Sequence, residues 1–141
     1  LDEEFFCIQS HPRTGADILN RMGCGRTLAL AALYHHCYYN GKGGYPNDVP
    51  SCPPEIKGIV DALSVADSLD AATDNIGRCY NLAKPFRTLL EELRAQSGTR
   101  YAPNVVALFE DERFCQQLAE NMDAERKRVY LQAYHAGSEE K

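Results

Sequence analysis

Arg26-Thr27-Leu28-Ala29-Leu30-Ala31-Ala32-Leu33-Tyr34-His35-His36-Cys37-Tyr38-Tyr39 is apolar on nearly every side through its first half and then meets two adjacent histidines. A helix that is hydrophobic all round belongs at the centre of a bundle, so 26–39 is read as the core helix. Upstream, Ala16, Ile18, Leu19 and Met22 fall at helical spacing. Ser10 is the expected N-cap of that first helix, with Pro12 in its first turn, where a missing N–H is harmless; Gly23 and Gly25 end it. Downstream, 40–54 holds four prolines and three glycines among Asn, Asp and Ser, the composition of an irregular loop. From Glu55, the positions Ile56, Ile59, Val60, Ala62, Leu63, Val65, Ala66 and Leu69 predict a third long helix running towards Asp70. A polar break over 73–81 ends it, and a fourth helix begins near Pro85, burying Phe86, Leu89, Leu90 and Leu93 until Ser97-Gly98. Two or three shorter helices finish the chain, after Pro103, Asp111 and Asp123. No segment alternates with period two for long enough to be a strand. The fold class is all-α.

Composition narrows the functional classes. With 141 residues and 44% hydrophobic content the chain is sized for one globular domain with a core of its own. Fifteen basic against twenty acidic residues leave a net charge of −5, which disfavours binding along extended DNA or RNA but allows a local pocket for a small phosphate ligand. The longest apolar run, Leu28 to Tyr34, is far short of the roughly twenty residues of a membrane span, and no signal-like segment opens the chain, so a cytoplasmic location without membrane insertion is expected. The cysteines at 7, 24, 37, 52, 79 and 115 form no Cys-x-x-Cys pair, and we read them as reduced and packed as small apolar residues. Glu125-Arg126-Lys127-Arg128 reads as a solvated helix face.

Four histidines are present, and three of them fall near turn punctuation. Neighbouring residues on a helix point about 100° apart, so His35 and His36 together suit a wide polar cavity at a helix end, with one imidazole for each of two metal ions. Asp67 follows the apolar Val65-Ala66 on the third helix. A carboxylate facing inward there calls for a compensating cation, and divalent metals accept mixed imidazole and carboxylate ligands. A single His or Asp is more often a hydrogen-bonded structural group. His11, the His35-His36 pair and Asp67, one set per helix, match the layout of a site in a bundle core.

These residues lie within stretches that resemble a known family. His35-His36-Cys37-Tyr38-Tyr39-Asn40-Gly41-Lys42-Gly43-Gly44-Tyr45-Pro46 resembles the His-His and Gly-Tyr-Pro signature of the HD-GYP branch of HD-domain metal-dependent phosphohydrolases. His11-Pro12-Arg13-Thr14-Gly15 is similar to the family's His-Pro-x-x-Gly segment, and Val65-Ala66-Asp67-Ser68-Leu69-Asp70-Ala71 to its Val-Ala-Asp-x-x-Asp-Ala. Arg78-Cys79-Tyr80 resembles its Arg-x-Tyr element, and Gly98-Thr99-Arg100-Tyr101-Ala102-Pro103 its Gly-Thr-x-x-x-Pro element. The five occur in the family's order across roughly residues 5–110. The resemblance implies a helical bundle of the HD-domain type and a phosphodiesterase holding divalent metal ions, iron or manganese, with zinc also compatible with the ligand types. It implies a cyclic dinucleotide substrate such as cyclic di-GMP, or another small phosphoester. His11, His35, His36 and Asp67 match the family's metal ligands; Tyr45 and Arg78 match its nucleotide contacts. Such a metal pair acidifies a bound water and stabilises charge on phosphoryl oxygens.

The sequence also departs from the family. Cys37 stands where Glu is usual and Asn40 where Asp is usual; Gly43-Gly44 adds a residue to the signature loop, and two more are inserted between Asp70 and Arg78. The upstream half of the family's domain, with its His-Asp dyad and adjacent Lys, has no counterpart, and residue 1 is Leu. The expectation is therefore the C-terminal part of an HD-GYP-like domain with a helical extension over 111–141, inactive by itself. The alternative is a degenerate, non-catalytic HD-like module that senses a nucleotide or mediates protein contacts. An apolar surface stripped of partner helices would also favour a homodimer.

Overall fold

The computed structural model describes residues 2–74 and 83–139. It is all-helical, with no strand among the described residues. In chain order the helices are α1 (Asp2–Arg21), α2 (Arg26–Tyr34), α3 (Pro54–Thr73), α4 (Phe86–Ala95), α5 (Pro103–Val106), a 3-10 turn (Ala107–Glu110) and α6 (Glu112–Glu139). Two compact units result, Leu1–Ala107 and Leu108–Lys141.

In the first unit α1 packs on α2, α2 on α3, and α3 on both α4 and α5. The α1–α2 corner follows from Gly23. Its N–H bonds the Asn20 carbonyl at 3.1 Å while Cys24 N–H reaches back to Leu19 at 3.0 Å, a Schellman closure that needs the positive φ of 70° found at Gly23. Small side chains line the hairpin, with Ala16, Ala29 and Ala31 buried and Gly15 facing Ala32. Below it Tyr34, Ile56 and Val60 form a buried cluster, with Leu30, Leu33, Cys37, Val49 and Cys52 packed around them. Val65, Leu69, Leu89 and Leu93 are also buried, in keeping with the apolar spacing of the third and fourth helices, and so are Tyr101 and Val106. Each such aliphatic side chain contributes about 1.5–3 kcal/mol relative to leaving it in water.

Two boundaries in this unit differ from those expected. α1 does not begin at Ser10 but runs from Asp2 straight through Pro12, because side chains take over the local backbone bonds: Ser10 Oγ donates to the Cys7 carbonyl and Thr14 Oγ1 to that of Ser10. α2 ends at Tyr34 rather than 39, since the next residues bond elsewhere. Cys37 pairs with Gly44 in an isolated bridge, and the N–H groups of Tyr39 and Asn40 donate to the carbonyls of Arg100 and Thr99 at 3.0 and 3.1 Å. The loop 40–53 is pinned to α1 as well, through an ion pair between Arg13 and Asp48.

In the second unit Asp111 caps α6, its Oδ1 accepting the N–H groups of Arg113 and Phe114 at 2.9 and 3.2 Å. No break occurs at Asp123. Lys127 pairs with Asp123, and Arg128 with Glu125, along an exposed face of one continuous helix. The five described cysteines are free thiols; Cys79 lies outside the described residues. Among the described residues no helix is long and apolar enough to cross a membrane.

Candidate metal centre

Proline at position 12 has no N–H, so the carbonyl of Ile8, its partner four residues back in α1, lacks a helical donor. His11 takes that role, with its Nδ1–H donating to the Ile8 oxygen at 2.5 Å. The His-Pro pair thereby fixes a ring orientation in mid-helix, not at the start of a helix as the sequence suggested. His35, the C-cap of α2, is held in the same manner, its Nδ1–H donating to Ala32 at 2.7 Å. With both Nδ1 atoms committed as donors, the two Nε2 lone pairs face each other at 3.1 Å. Two lone pairs at that distance repel unless a proton or a cation lies between them. A divalent cation held by both nitrogens would remove that repulsion, so this donor set fits a metal that accepts imidazole.

One ring nitrogen from each of His11, His35 and His36 lies within 4.8 Å of the others. The His35 and His36 rings do not splay apart as helical neighbours would: their centroids are 4.1 Å apart at the C-terminal end of α2. Burial, with His35, His11 and Arg100 beside it, drives the pKa of His36 down to about 3, so its imidazole is neutral at ordinary pH. His35 is lowered too, by burial, against the opposing pull of the Ala32 carbonyl and of Asp67. Neutral imidazole is the form that binds metal.

Asp67 stands at the edge of this group. Its Oδ2 is 3.7 Å from His36 Nε2, beyond hydrogen-bond reach, and the neutral ring makes no ion pair with it. Tyr45 lies against His36 with centroids 4.4 Å apart and planes 30° apart, so one face of its ring is taken by a histidine. Burial and the Asp67 charge raise the Tyr45 pKa, keeping the phenol protonated. Arg78 lies outside the described residues.

A cavity of about 480 Å³ opens beside the cluster, lined among others by His11, His36, Tyr45, Asp67, Ser68, Lys84, Glu92, Arg100 and Tyr101. The last five carry no role in the sequence reading. Ser68 adjoins Asp67, and Arg100-Tyr101 sits inside the Gly-Thr-x-x-x-Pro stretch; both were signalled by position, while Lys84 had no signal. Cys37 and Asn40, the departures in the signature loop, hold loop structure. The Cys37 thiol points at the Tyr45 and Pro46 carbonyls, and Asn40 Oδ1 accepts the Lys42 N–H at 2.8 Å.

Comparison with known proteins bears on this arrangement. A cyclic di-GMP phosphodiesterase of Thermotoga maritima is 34% identical over 109 residues, which make up 76% of this chain and 28% of that protein. The chain is similar to a phosphodiesterase of cyclic di-GMP. It spans less than a third of that relative's length. No protein-family model and no solved structure matches the chain.

If His11 ligates a metal, Pro12→Ala is expected to weaken that binding about tenfold, the lower end of the effect of losing an outer partner of a ligating histidine. The restored N–H at position 12 would compete for the Ile8 carbonyl. A metal titration followed by absorbance, with a melting curve as the folding check, measures this; unchanged affinity in a folded variant would remove the role given to Pro12.

Proposed function

We propose that the chain carries the ligand cluster of an HD-GYP-like metal-dependent phosphodiesterase acting on cyclic di-GMP or a related small phosphoester. The convergence of His11, His35 and His36 within 4.8 Å supports this reading above all, coming from two separate helix segments of a chain similar to such an enzyme. His11, His35 and His36, with Asp67 alongside, would hold a divalent ion, iron or manganese by the resemblance. When bound, the metal supplies activation of water and stabilisation of charge on the phosphoryl oxygens.

The chain's own residues do the rest. The Ile8 and Ala32 carbonyls anchor the Nδ1–H groups of His11 and His35, which turns their Nε2 atoms towards each other. Asp67 offsets cationic charge at the cavity edge. Tyr45 buttresses His36 and presents its remaining surface to a nucleotide in the cavity.

Calorimetric titration of the chain with cyclic di-GMP, with metal and after chelation, tests the proposal. Binding that weakens on chelation is the expected result. Metal-independent binding without turnover would replace the enzyme with the nucleotide-sensing module, and no binding under either condition would discard both.

A further inference from the structure

Two cations reach the cavity, and they differ in how they are compensated. Lys84 donates to both carboxylate oxygens of Glu92, at 2.7 and 2.8 Å, so its charge is spent locally. Arg100 has no such partner: among the described residues no carboxylate lies within ion-pair distance of it. Its contacts are a long hydrogen bond of 3.4 Å to Ser68 Oγ and two aromatic rings, with the guanidinium carbon 5.1 Å from the Tyr101 centroid and 6.0 Å from that of Tyr38. Ring faces steady a guanidinium without satisfying its five N–H donors.

The backbone beneath Arg100 is firmly placed. Gln96 accepts the N–H groups of Thr99, Arg100 and Tyr101 at 3.1–3.2 Å, and the turn closes through Gly98 N–H to the Tyr101 carbonyl at 2.9 Å. The carbonyl of Arg100 accepts the N–H of Tyr39, tying this turn to the loop that carries Tyr45. A part-buried, positioned guanidinium with no carboxylate partner among the described residues, opening on the same cavity as His36 and Tyr45, is suited to an anion with paired oxygens.

The geometry points to Arg100 as the residue that binds a non-bridging phosphate pair of the substrate and sets the preference of the cavity for phosphodiesters. This rests on the function proposed above. Arg100→Gln, in the full chain purified without chelator, is expected to weaken cyclic di-GMP binding about 10- to 100-fold by calorimetry, the effect of losing charge-assisted bonds. Competition by inorganic phosphate is expected to weaken in parallel. Competition by guanosine, which has the base and sugar but no phosphate, is expected to be the same for both chains; a merely structural role would lower it too. Arg100→Lys keeps the charge and the stem but not the fork, and several-fold weaker binding is expected; it carries the test if the glutamine variant does not fold.

Undiminished cyclic di-GMP affinity in the folded variants, with Tyr45→Ala impaired, would overturn the role of Arg100 and leave the proposed function standing. A wild-type chain that bound neither cyclic di-GMP nor phosphate when loaded with manganese would overturn both.

Discussion

Replacing His35 and His36 together by alanine is expected to abolish stoichiometric transition metal in the purified chain, lowering affinity on the order of 100-fold or more. The size follows from geometry. His35 Nε2 stands 3.1 Å from that of His11, and the His36 ring completes the group within 4.8 Å, so the double variant removes two of three converging donors. Loss of an outer hydrogen-bond partner alone weakens metal sites about 10- to 100-fold, and loss of the ligands exceeds that. Elemental analysis of both chains measures it. Removing the histidines is not expected to unfold the bundle, because the Tyr34, Ile56 and Val60 cluster lies on other side chains. Metal held equally by both chains would refute the cluster as the site.

Gly44→Ala is expected to be the most damaging single methyl in the first unit. A Cβ at this position would lie 2.0 Å from the His36 carbonyl oxygen and 3.0 Å from Cys37 Cα, both backbone atoms that cannot swing aside, and the residue sits at a φ of +82°. The left-handed backbone alone costs about 1–2 kcal/mol for a residue with a side chain, and forced packing adds about 1–3 kcal/mol. Thermal unfolding is expected about 10 °C lower. Since the displaced oxygen belongs to His36, the proposed metal affinity is expected to fall with it. Gly58→Ala is the control: in α3, with nothing within 4 Å of the added carbon, it is expected to stabilise by about 0.5–1 kcal/mol. Equal melting temperatures for Gly44→Ala and wild type would contradict the close approach of the two loop strands.

The all-α class was legible because 26–34, 56–69 and 86–93 repeat apolar residues at helical spacing, and nothing repeats at spacing two. His11, His35, His36, Tyr45 and Asp67 were legible as a set through the resemblance of their segments. The boundaries at 10 and 39 were not, for one reason in each case. Local rules place a proline at the start of a helix and a serine before it, yet His11, Ser10 and Thr14 satisfy backbone groups that such rules leave open. The end of α2 depends on Thr99 and Arg100, some sixty residues away in the chain, whose carbonyls draw Tyr39 and Asn40 out of the helix.

The sequence by itself determined which stretches are helical and which residue types could hold a metal and a phosphate, since both depend on near neighbours and side-chain chemistry. Tertiary structure alone decided that three imidazoles converge, and that Lys84 is neutralised by Glu92 while Arg100 lines the cavity with no carboxylate partner among the described residues. Charge in a sequence has no partner until folding assigns one. Convergence of distant segments and compensation of charge are properties of distances that no local pattern encodes.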